Sequence, residues 1–514
     1  MKKRLFSIGT VLLVTLISTV ITPAQTPAPT IAKTSYAEVT SQLDPGGNFY
    51  LYLGTAQWLD HLSTKLEGWR SLALSLPDLK GEDKINLERG FDLTKQIILD
   101  SGVEEVTGLG LSSVEIEPGL YRNKALLHHY PGHDQGFLWK LGGQKPHPLT
   151  GLDLLPETTA LAVFADLDVP LLWQVIQDET AKSGFPHATN WLAQVPAEFE
   201  KGTKVNWDQF LHSLGGEFGL VLTLNPSNNV PIPVPPAAIS IPEPGLMLVV
   251  RVTDDTIFNR IAEELKSNPQ VISQETNGLR LRIMPMPIPF VPFLQPAEAS
   301  SGGYLLISSS DTLVKEALAV KAGEKPGLKS TAEFKRLAQK IPTEGNQFAY
   351  ISERFGRTIQ QIQTQAIGNS GSPEVSTWFQ SLMEQMHSSA ACYSVGINAP
   401  NGCLTIGNGS QSYANVAVMP LAIVPGMLAG IAIPNFVKAR TVSQQNACIN
   451  NLRQLDAAKQ QWALENNKKA GDEPTKENLL PYLRGWPNCP QGGEYHIGTV
   501  GENPTCSIPN HVLP

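Results

Sequence analysis

One local pattern recurs along the chain: a hydrophobic run, a short polar turn and then a helix-forming stretch. In the third copy Thr253 or Asp254 can cap the helix, and in the fourth Ser309 or Asp311 can do so. The five copies cover residues 48–53 with a helix from about Ala56, 158–184, 245–268, 302–320 and 346–365.

Further strand-like runs lie between these helices, at residues 108–116, 120–130, 217–224 and 279–285. Units of this kind pack helices on one face of a largely antiparallel sheet. Their recurrence indicates two or three related modules. We therefore predict an α+β fold of repeated strand–turn–helix–strand modules over residues 48–410. In pattern, this region resembles a group of bacterial envelope proteins of uncharacterised function.

Two proline-rich inserts interrupt the pattern. Residues 225–245 predict an extended loop, because proline cannot join a central strand. Residues 284–296, MPMPIPFVPFLQP, are both apolar and proline-rich. We expect this second insert to fold over the core of its own domain. The alternative is an exposed apolar surface that meets a membrane or a partner.

A long uncharged stretch follows, from Glu384 to Lys438. Its residues 416–437 are long enough to cross a bilayer as a helix. Prolines inside it are tolerated in membrane helices when neighbouring groups satisfy the released carbonyls. We predict a hydrophobic transmembrane helix within residues 411–437, and the alternative is a buried segment of a soluble protein. The residues that mark the segment are Val416, Leu421, Gly426, Gly430, Pro434 and Phe436.

The last part of the chain, residues 438–514, predicts a small helix-plus-hairpin head. A second short helix is expected near residues 476–485, and two short strands at 494–500 and 504–509. Cys489 and Cys506 flank that hairpin. The first helix is indicated by one apolar stripe at helical spacing. The stripe comprises Ile449, Leu452, Leu455, Ala458 and Trp462.

Residues 426–514 resemble the type II secretion pseudopilins and type IV pilin-like proteins. The resemblance rests on AGIAIPNFVKAR, NACINNLRQLDAAKQQWALE, CPQGGEYHIGTV and PTCSIP in this order. It implies a long helix, half in the membrane, that carries a small head and polymerises through its apolar half. Because the head of such proteins lies outside the cytoplasm, the resemblance makes Cys489 and Cys506 a candidate disulfide.

The chain departs from that family at its peptidase site. The family has Gly, then a cut, then Phe, and a Glu within the apolar run. Aligned on IAIPNF, these positions fall on Ser412, Tyr413 and Ala417. A Glu in the membrane needs a partner such as a newly freed amine, and Tyr413 is mid-chain. We therefore expect no processing as a pilin.

The N-terminus carries an export signal. A basic start at residues 1–4 precedes an uncharged, mostly apolar run, and small residues at 22–24 suit a signal peptidase. We predict a cleaved signal peptide at residues 1–24, with an uncleaved anchor as the alternative, and a linker at residues 25–47. After export, a spanning helix followed by Lys438 and Arg440 would leave the tail in the cytoplasm. Otherwise the segment packs outside and does not span.

Charge and cysteine content narrow the class of protein. The net charge of −8 argues against a nucleic-acid partner. Export makes disulfides accessible to the five cysteines, and an odd number leaves at least one unpaired or shared between chains. Their spacings match no zinc pattern, so we predict no cofactor and no metal.

Chemical motifs are few. His128, His133 and Asp134 lie close enough in sequence to be weak metal candidates, but His128 and His129 would point to opposite faces of a strand. Pro131 also marks a turn, and His and Asp residues are common in turns without having a function.

The adjacent acids Glu104–Glu105 and Asp254–Asp255 are interpreted as turn and cap residues rather than as acid–base catalysts. His496 and His511 are expected to be single surface residues. The chain has no GxSxG, HExxH, phosphate-loop or dinucleotide-binding motif.

We therefore expect a non-catalytic, exported protein of the cell envelope, periplasmic or associated with the inner membrane. The first hypothesis is an interaction or scaffold role linked to a type II secretion or pilus-like apparatus, with pseudopilin-like partners. The second is a periplasmic binding module for a hydrophobic ligand, with the apolar insert at its mouth. An envelope hydrolase is a third hypothesis that no nucleophile motif supports.

Overall fold

The computed structural model describes most of the chain between residues 34 and 513. The described ranges are 34–59, 61–76, 80–234, 237–276, 279–284, 295–368, 390–417, 445, 447–483, 485–490, 492–508 and 511–513. The chain forms two compact units, Met1–Val416 and Ala417–Pro514. We call them the sheet unit and the C-terminal unit.

One antiparallel sheet of 13 strands organises the sheet unit, in the order β1-β2-β3-β15-β14-β13-β5-β6-β7-β11-β10-β9-β8. Two further short strands, β4 (His147–Pro148) and β12 (Glu344–Gly345), pair with each other in a separate antiparallel sheet. The strands of the large sheet are β1 Phe49–Gly54, β2 Val106–Glu117, β3 Leu120–His129, β5 Thr159–Asp166, β6 Leu214–Val234, β7 Ala237–Val252, β8 Ile272–Thr276, β9 Leu279–Ile283, β10 Ala297–Ser301, β11 Tyr304–Ser308, β13 Gln347–Ile351, β14 Cys392–Ala399 and β15 Gly402–Gly409.

Helices connect the strands. They are α1 Tyr36–Thr40, α2 Ala56–Leu59, α3 Leu62–Leu74, α4 Gly81–Ser101, α5 Phe137–Lys140, α6 Val169–Lys182, α7 Pro186–Thr203, α8 Trp207–Ser213, α9 Thr256–Leu265, α10 Asp311–Lys321, α11 Ala332–Leu337, α12 Glu353–Gly368 and α13 Tyr413–Ala417. Short 3₁₀ turns occur at Val103–Glu105, Thr150–Leu154 and Leu328–Ser330. The expected mixed fold with a large antiparallel sheet is therefore confirmed.

Each of the five predicted strand–turn–helix copies contains a strand and a helix in that order. One arrangement occurs three times: a strand, a helical segment and then a hairpin of two strands. The first strand of the hairpin pairs with the strand that precedes the helical segment. The three sets are β1–β2–β3, β5–β6–β7 and β13–β14–β15.

The polar turn after a strand can provide the cap of the following helix. Asp168, for example, caps α6 by accepting a hydrogen bond from the Leu171 amide at 2.9 Å.

Of the predicted helix caps, Asp254 provides a capping hydrogen bond and Ser309 does not. Asp254 accepts from the Thr256 amide at 2.8 Å, although the cap position of α9 is the next residue, Asp255, whose side chain makes no capping hydrogen bond. Ser310 occupies the cap position of α10, one residue from the predicted Ser309 and Asp311. The Ser309 hydroxyl instead accepts from the Leu246 amide at 3.0 Å, so it is used by the sheet.

The first proline-rich insert is a hairpin, so the prediction of an extended loop at residues 225–245 was wrong. β6 and β7 stay paired from Asn225–Glu243 to Val234–Ala237, with an irregularity in register between Asn225 and Asn229. The neighbouring strand β5 does not extend along the ribbon, since its pairing with β6 ends at Thr223. This two-stranded ribbon has no outer neighbours within the sheet, so its prolines interrupt no central ladder.

The inner face of the large sheet carries the main core of the sheet unit. Phe164 and Phe348 stack on adjacent strands, with ring centroids 4.7 Å apart. Gly219 makes room for them, because a Cβ there would lie 2.3 Å from the Phe164 ring. Buried residues of α10, α11 and the 3₁₀ turns cover this face. Each large apolar side chain buried in this way contributes about 1.5–3 kcal/mol.

The predicted linker at residues 25–47 is partly folded. Residues 25–33 lie outside the described residues, but α1 follows at once. Its Val39 and the nearby Leu43 are buried with Leu126 of β3. Ser35 also donates to the Thr107 carbonyl at 2.8 Å. An apolar pair four residues apart thus attaches this segment to the sheet.

The described part of the C-terminal unit contains helices and a hairpin, whose strands are shorter than the predicted 494–500 and 504–509. Residues 447–465 form α14, followed by α15 (Lys476–Leu479) and a 3₁₀ turn, Leu480–Tyr482. β16 (Tyr495–His496) pairs antiparallel with β17 (Thr505–Cys506). The predicted stripe on α14 points inward, because Leu452, Leu455, Ala458 and Trp462 are buried.

Candidate functional site

Three cysteines and one histidine converge in the C-terminal unit. Cys448 lies on α14, Cys489 in the loop before the hairpin, Cys506 on β17, and His511 in the final segment. Their potential ligand atoms all lie within 4.8 Å of one another. The Cys489 sulfur is 3.8 Å from the Cys506 sulfur and 3.8 Å from His511 Nδ1. Within the described part of the chain, this group could hold a metal ion.

Local structure explains the convergence. Cys448 precedes Leu452 by one helical turn, so it shares the buried stripe of α14. Gly492, with φ of +77°, turns the chain after Cys489. Gly493 then permits a close approach, because a Cβ there would lie 2.7 Å from the Cys506 sulfur.

The cluster is enclosed by protein. Cys448, Cys489 and His511 are buried, and Cys506 is half-buried. The Tyr495 hydroxyl donates to the Cys448 sulfur at 3.4 Å and accepts from Asn451 Nδ2 at 3.1 Å. Burial raises the pKa of the Cys448 thiol to about 12, and the neighbouring cysteines add to the effect. These are the surroundings of an internal site rather than of an exposed reactive thiol.

This cluster bears on three sequence-based expectations. The candidate disulfide between Cys489 and Cys506 stays a prediction, and the structure places the two sulfurs 3.8 Å apart rather than at the roughly 2.05 Å of a disulfide bond. His511 is 3% exposed rather than a surface residue. His496 is exposed, as expected. The expectation of no metal stays a prediction. The four side chains come from a helix, a loop, a strand and the final segment, so no short sequence spacing could indicate that they converge. The one available signal was Cys448 on the apolar stripe.

The weaker metal candidates are not brought together in the described structure. His128 is buried, and its Nδ1 lies 2.6 Å from the Thr107 hydroxyl. His133 is exposed in the following turn, where Asp134 accepts from Gln135. His128 is therefore a satisfied core residue, and the other two are turn residues.

The adjacent acid pairs have structural partners, as predicted. Glu104 accepts from the Ser63 amide at 2.7 Å, near the start of α3, and Glu105 accepts from the Trp139 indole at 2.8 Å. Asp255 forms an ion pair with Arg280.

A polar cleft of about 400 Å³ lies where β5 ends and β6 begins. His147 Nε2 is 2.9 Å from Asp166 Oδ1, and Asp166 also accepts from Asn346 at 3.1 Å. Nearby, Glu217 accepts from the Tyr304 hydroxyl at 2.9 Å. Sequence reasoning missed this group, because its members come from five separate segments.

Burial and hydrogen bonding shift the pKa values of several groups in and near the cleft. Burial raises the pKa of Glu217, and it raises the pKa of Tyr304 to about 12. Burial alone would lower the pKa of His147. Hydrogen bonds to Asp166 and to the Pro148 carbonyl outweigh it, so the pKa of His147 is raised.

The opposite face of the large sheet exposes an apolar row, which we call the outer row. It crosses four adjacent strands, and its members are direct cross-strand neighbours. The row consists of Val163, Leu220, Leu248 and Ile307, which are 43%, 44%, 41% and 36% exposed. Leu246, 49% exposed, extends the apolar area beside it. At one end of this face, Phe258 of α9 packs on Val250 and Leu305.

The predicted membrane segment lies almost entirely outside the described residues. Val416 belongs to α13, whereas Leu421, Gly426, Gly430, Pro434, Phe436 and the signal peptide at 1–24 are not described. The helices that are described include none with the length and apolar character needed to cross a bilayer.

Two of the three positions that were aligned with the pilin peptidase site, Ser412 and Tyr413, belong to the sheet unit, and Ala417 is the first residue of the C-terminal unit. Ser412 donates to Asn48 Oδ1 at 2.7 Å, and the Tyr413 ring meets the Phe49 ring edge-on.

No protein-family model, curated protein or solved structure matches this chain.

Proposed function

We propose that the protein is a non-catalytic component of the cell envelope with an interaction or scaffold role, linked to a type II secretion or pilus-like apparatus. The export signal at residues 1–24 supports this location, at or near the inner membrane. The pilin-like sequence of residues 426–514 supports pseudopilin-like partners and a pilin-like head. The net charge of −8 supports a partner other than nucleic acid.

The outer row is the observation that carries the interaction role. Single exposed apolar residues are ordinary, but an aligned row of four on a flat sheet is an apolar patch of the kind that mediates association. It also offers a rigid platform, because each residue is held in register by strand pairing on both sides. A partner that covers this row would remove several large apolar side chains from water.

The polar cleft favours binding or structure over catalysis. Its titratable groups are already engaged, since Asp166 is held by His147 and Asn346, and Glu217 by Tyr304. The hydroxyl of Thr253 in the cleft donates to the His212 carbonyl at 2.7 Å, so it is not poised as a nucleophile.

The alternative function is a periplasmic module for a hydrophobic ligand, and the same row favours it. The apolar insert at 284–296 leaves the sheet between β9 and β10. A 2.8 Å hydrogen bond from the Met284 amide to the Pro296 carbonyl closes its base. Residues 285–294 of the insert lie outside the described residues. The repeated strand–helix–hairpin arrangement is proposed to reflect two or three related modules.

Photo-crosslinking in cells tests these proposals. A photoreactive residue replaces Leu220 in the outer row, and a control replaces Leu72 of α3, which is 70% exposed outside the sheet. An adduct with a pseudopilin-like or other envelope protein from position 220 supports the scaffold role. An adduct with lipid or another small hydrophobic molecule supports the alternative. Equal labelling from positions 220 and 72 would sink both.

The location of the tail has its own test. Leu464 is 82% exposed on α14, so Leu464→Cys provides a site for a membrane-impermeant thiol reagent. Labelling in intact spheroplasts would exclude a cytoplasmic tail. Labelling only after the inner membrane is permeabilised would exclude an exported head.

A further inference from the structure

The spacing of the four clustered side chains is that of ligands around one tetrahedral ion. Zinc–sulfur bonds of about 2.3 Å and zinc–nitrogen bonds of about 2.0 Å place tetrahedral ligands about 3.6–3.8 Å apart. The Cys489 sulfur lies 3.8 Å from both the Cys506 sulfur and His511 Nδ1. The complete set falls within 4.8 Å. From this geometry, we propose that Cys448, Cys489, Cys506 and His511 bind a single zinc ion that fixes the fold of the C-terminal unit.

The ligand chemistry selects the metal. Three sulfurs and one imidazole nitrogen are soft or intermediate ligands, whereas calcium and magnesium require oxygen. A tetrahedral set of sulfur and nitrogen ligands is typical of zinc. Four protein ligands also close the coordination shell, which is the property of structural rather than catalytic zinc sites.

The position of the ligands gives the ion its role. Each comes from a different segment, and two of those segments contain little regular structure. The strands of the hairpin are two residues each, and residues 507–513 contain no helix or strand among those described. One ion therefore joins the helix, the loop, the hairpin and the final segment.

Hydrogen bonds around Cys448 support the site. The Tyr495 hydroxyl donates to the Cys448 sulfur at 3.4 Å, and Asn451 of α14 holds that hydroxyl in place. Hydrogen bonds of this kind orient a thiolate ligand and tune its affinity. Tyr495 lies on β16, so the same contact also connects the hairpin to the helix.

A disulfide between Cys489 and Cys506 is the competing arrangement. It would use two of the four side chains and would not explain why Cys448 and His511 approach the same point. The two states differ in metal content and in mass, so they can be separated experimentally.

Metal analysis of the full chain, purified without added metal or affinity-tag histidines, is the first test. We expect one zinc ion per chain. Cys448→Ser and Cys489→Ser should lose it, and His511→Ala should do so too. The matched controls are Cys403→Ser in the sheet unit and His496→Gln on β16, and both should retain the ion. Tyr495→Phe should weaken zinc affinity by about tenfold.

Two further measurements remain informative where a ligand variant fails to fold. His511→Cys supplies a fourth sulfur and should keep zinc, whereas a purely structural histidine would give no such rescue. Cobalt bound to the wild-type chain should show the intense visible absorption of a tetrahedral thiolate site. A metal-free chain with a Cys489–Cys506 disulfide by mass spectrometry would overturn the proposal. Bound iron in place of zinc, or an octahedral cobalt spectrum, would overturn it as well.

Discussion

The two units of the chain hold themselves together differently. The sheet unit buries aromatic and aliphatic side chains along many paired strands, including the stacked Phe164 and Phe348. Among the described residues of the C-terminal unit, the apolar cluster between the helices is small, with Ala458, Trp462, Ala463 and Leu479 at its centre. Beside it are buried Cys448, Cys489 and His511, and Lys459, which is 1% exposed.

A segment that buries little apolar surface gains little to offset the conformational entropy it loses, and a metal ion or a disulfide can supply the remaining stability. Polar groups in the C-terminal interior are accordingly tied to fixed partners. Lys459, for instance, donates to the Ile497 carbonyl at 2.9 Å.

The largest expected effect is removal of the metal. Apparent binding energies of structural zinc sites are about 10–16 kcal/mol, which exceeds the stability of most small domains. Chelation, or Cys489→Ser, should therefore expose the C-terminal unit to a protease while leaving a resistant fragment that ends near residue 416. Electrophoresis and mass spectrometry identify the fragments, with Cys403→Ser as the control. Equal resistance of the C-terminal unit with and without chelator would contradict the comparison.

Truncation of a core side chain should destabilise the sheet unit and leave the C-terminal unit unchanged. Phe164→Ala removes a ring that is 1% exposed and stacked on Phe348, so it should destabilise the sheet unit by about 3–5 kcal/mol. Leu220→Ala, at an exposed position on the next strand, is the control and should cost under about 1 kcal/mol. Urea unfolding, monitored by hydrogen exchange of the sheet amides, measures the stability of both variants. Zinc content should not change, and a loss of zinc in Phe164→Ala would show that the units are not independent.

Breaking a buried ion pair should have an effect similar in size to that of the core truncation. Arg282 and Glu298 pair at 2.9 Å on adjacent strands, at 7% and 1% exposure of their side chains. Burial raises the pKa of Glu298 to about 7, although Arg282 opposes the shift. Glu298→Leu alone should cost about 3–5 kcal/mol, because it leaves the guanidinium without its partner.

The double variant Arg282→Met with Glu298→Leu should be close to neutral in stability. A double-mutant cycle from urea unfolding of the sheet unit gives the interaction energy. If the double variant were as unstable as Glu298→Leu, the pair would be important for reasons other than its charge.

The smallest effect is a pH dependence in the polar cleft. Because the folded-state pKa of His147 is raised above its usual value, protonated His147 stabilises the folded sheet unit. That contribution is fully present below about pH 6.5 and is lost as the pH rises through the folded-state pKa. Asp166→Asn should lower the pKa of His147 and flatten this dependence. NMR titration of the imidazole measures the pKa, and an unchanged value in Asp166→Asn would show that Asp166 does not set it.

The contrast between the units also explains what the sequence could predict. Alternating and helical periodicity identified the strand–helix copies of the sheet unit and the stripe of α14, because both patterns are local. The cap residue of α10 was missed by one position, because the Ser309 hydroxyl is used by a hydrogen bond to the neighbouring strand. The cysteine–histidine site was missed for a similar reason. Its four ligands are distant in sequence, and only packing of the hairpin against α14 brings them together.

The ribbon formed by residues 225–244 has a consequence for solubility. Beyond Thr223 neither ribbon strand pairs with a further described strand, and an unpaired strand edge can accept a strand from another chain. One edge is partly covered, because Gln361 of α12 donates to the Ser240 carbonyl at 2.9 Å. Pro231, Pro242 and Pro244 lack the amide hydrogens that an added strand would need. The prolines that argued against a strand here thus reduce the capacity of the ribbon to pair with another chain.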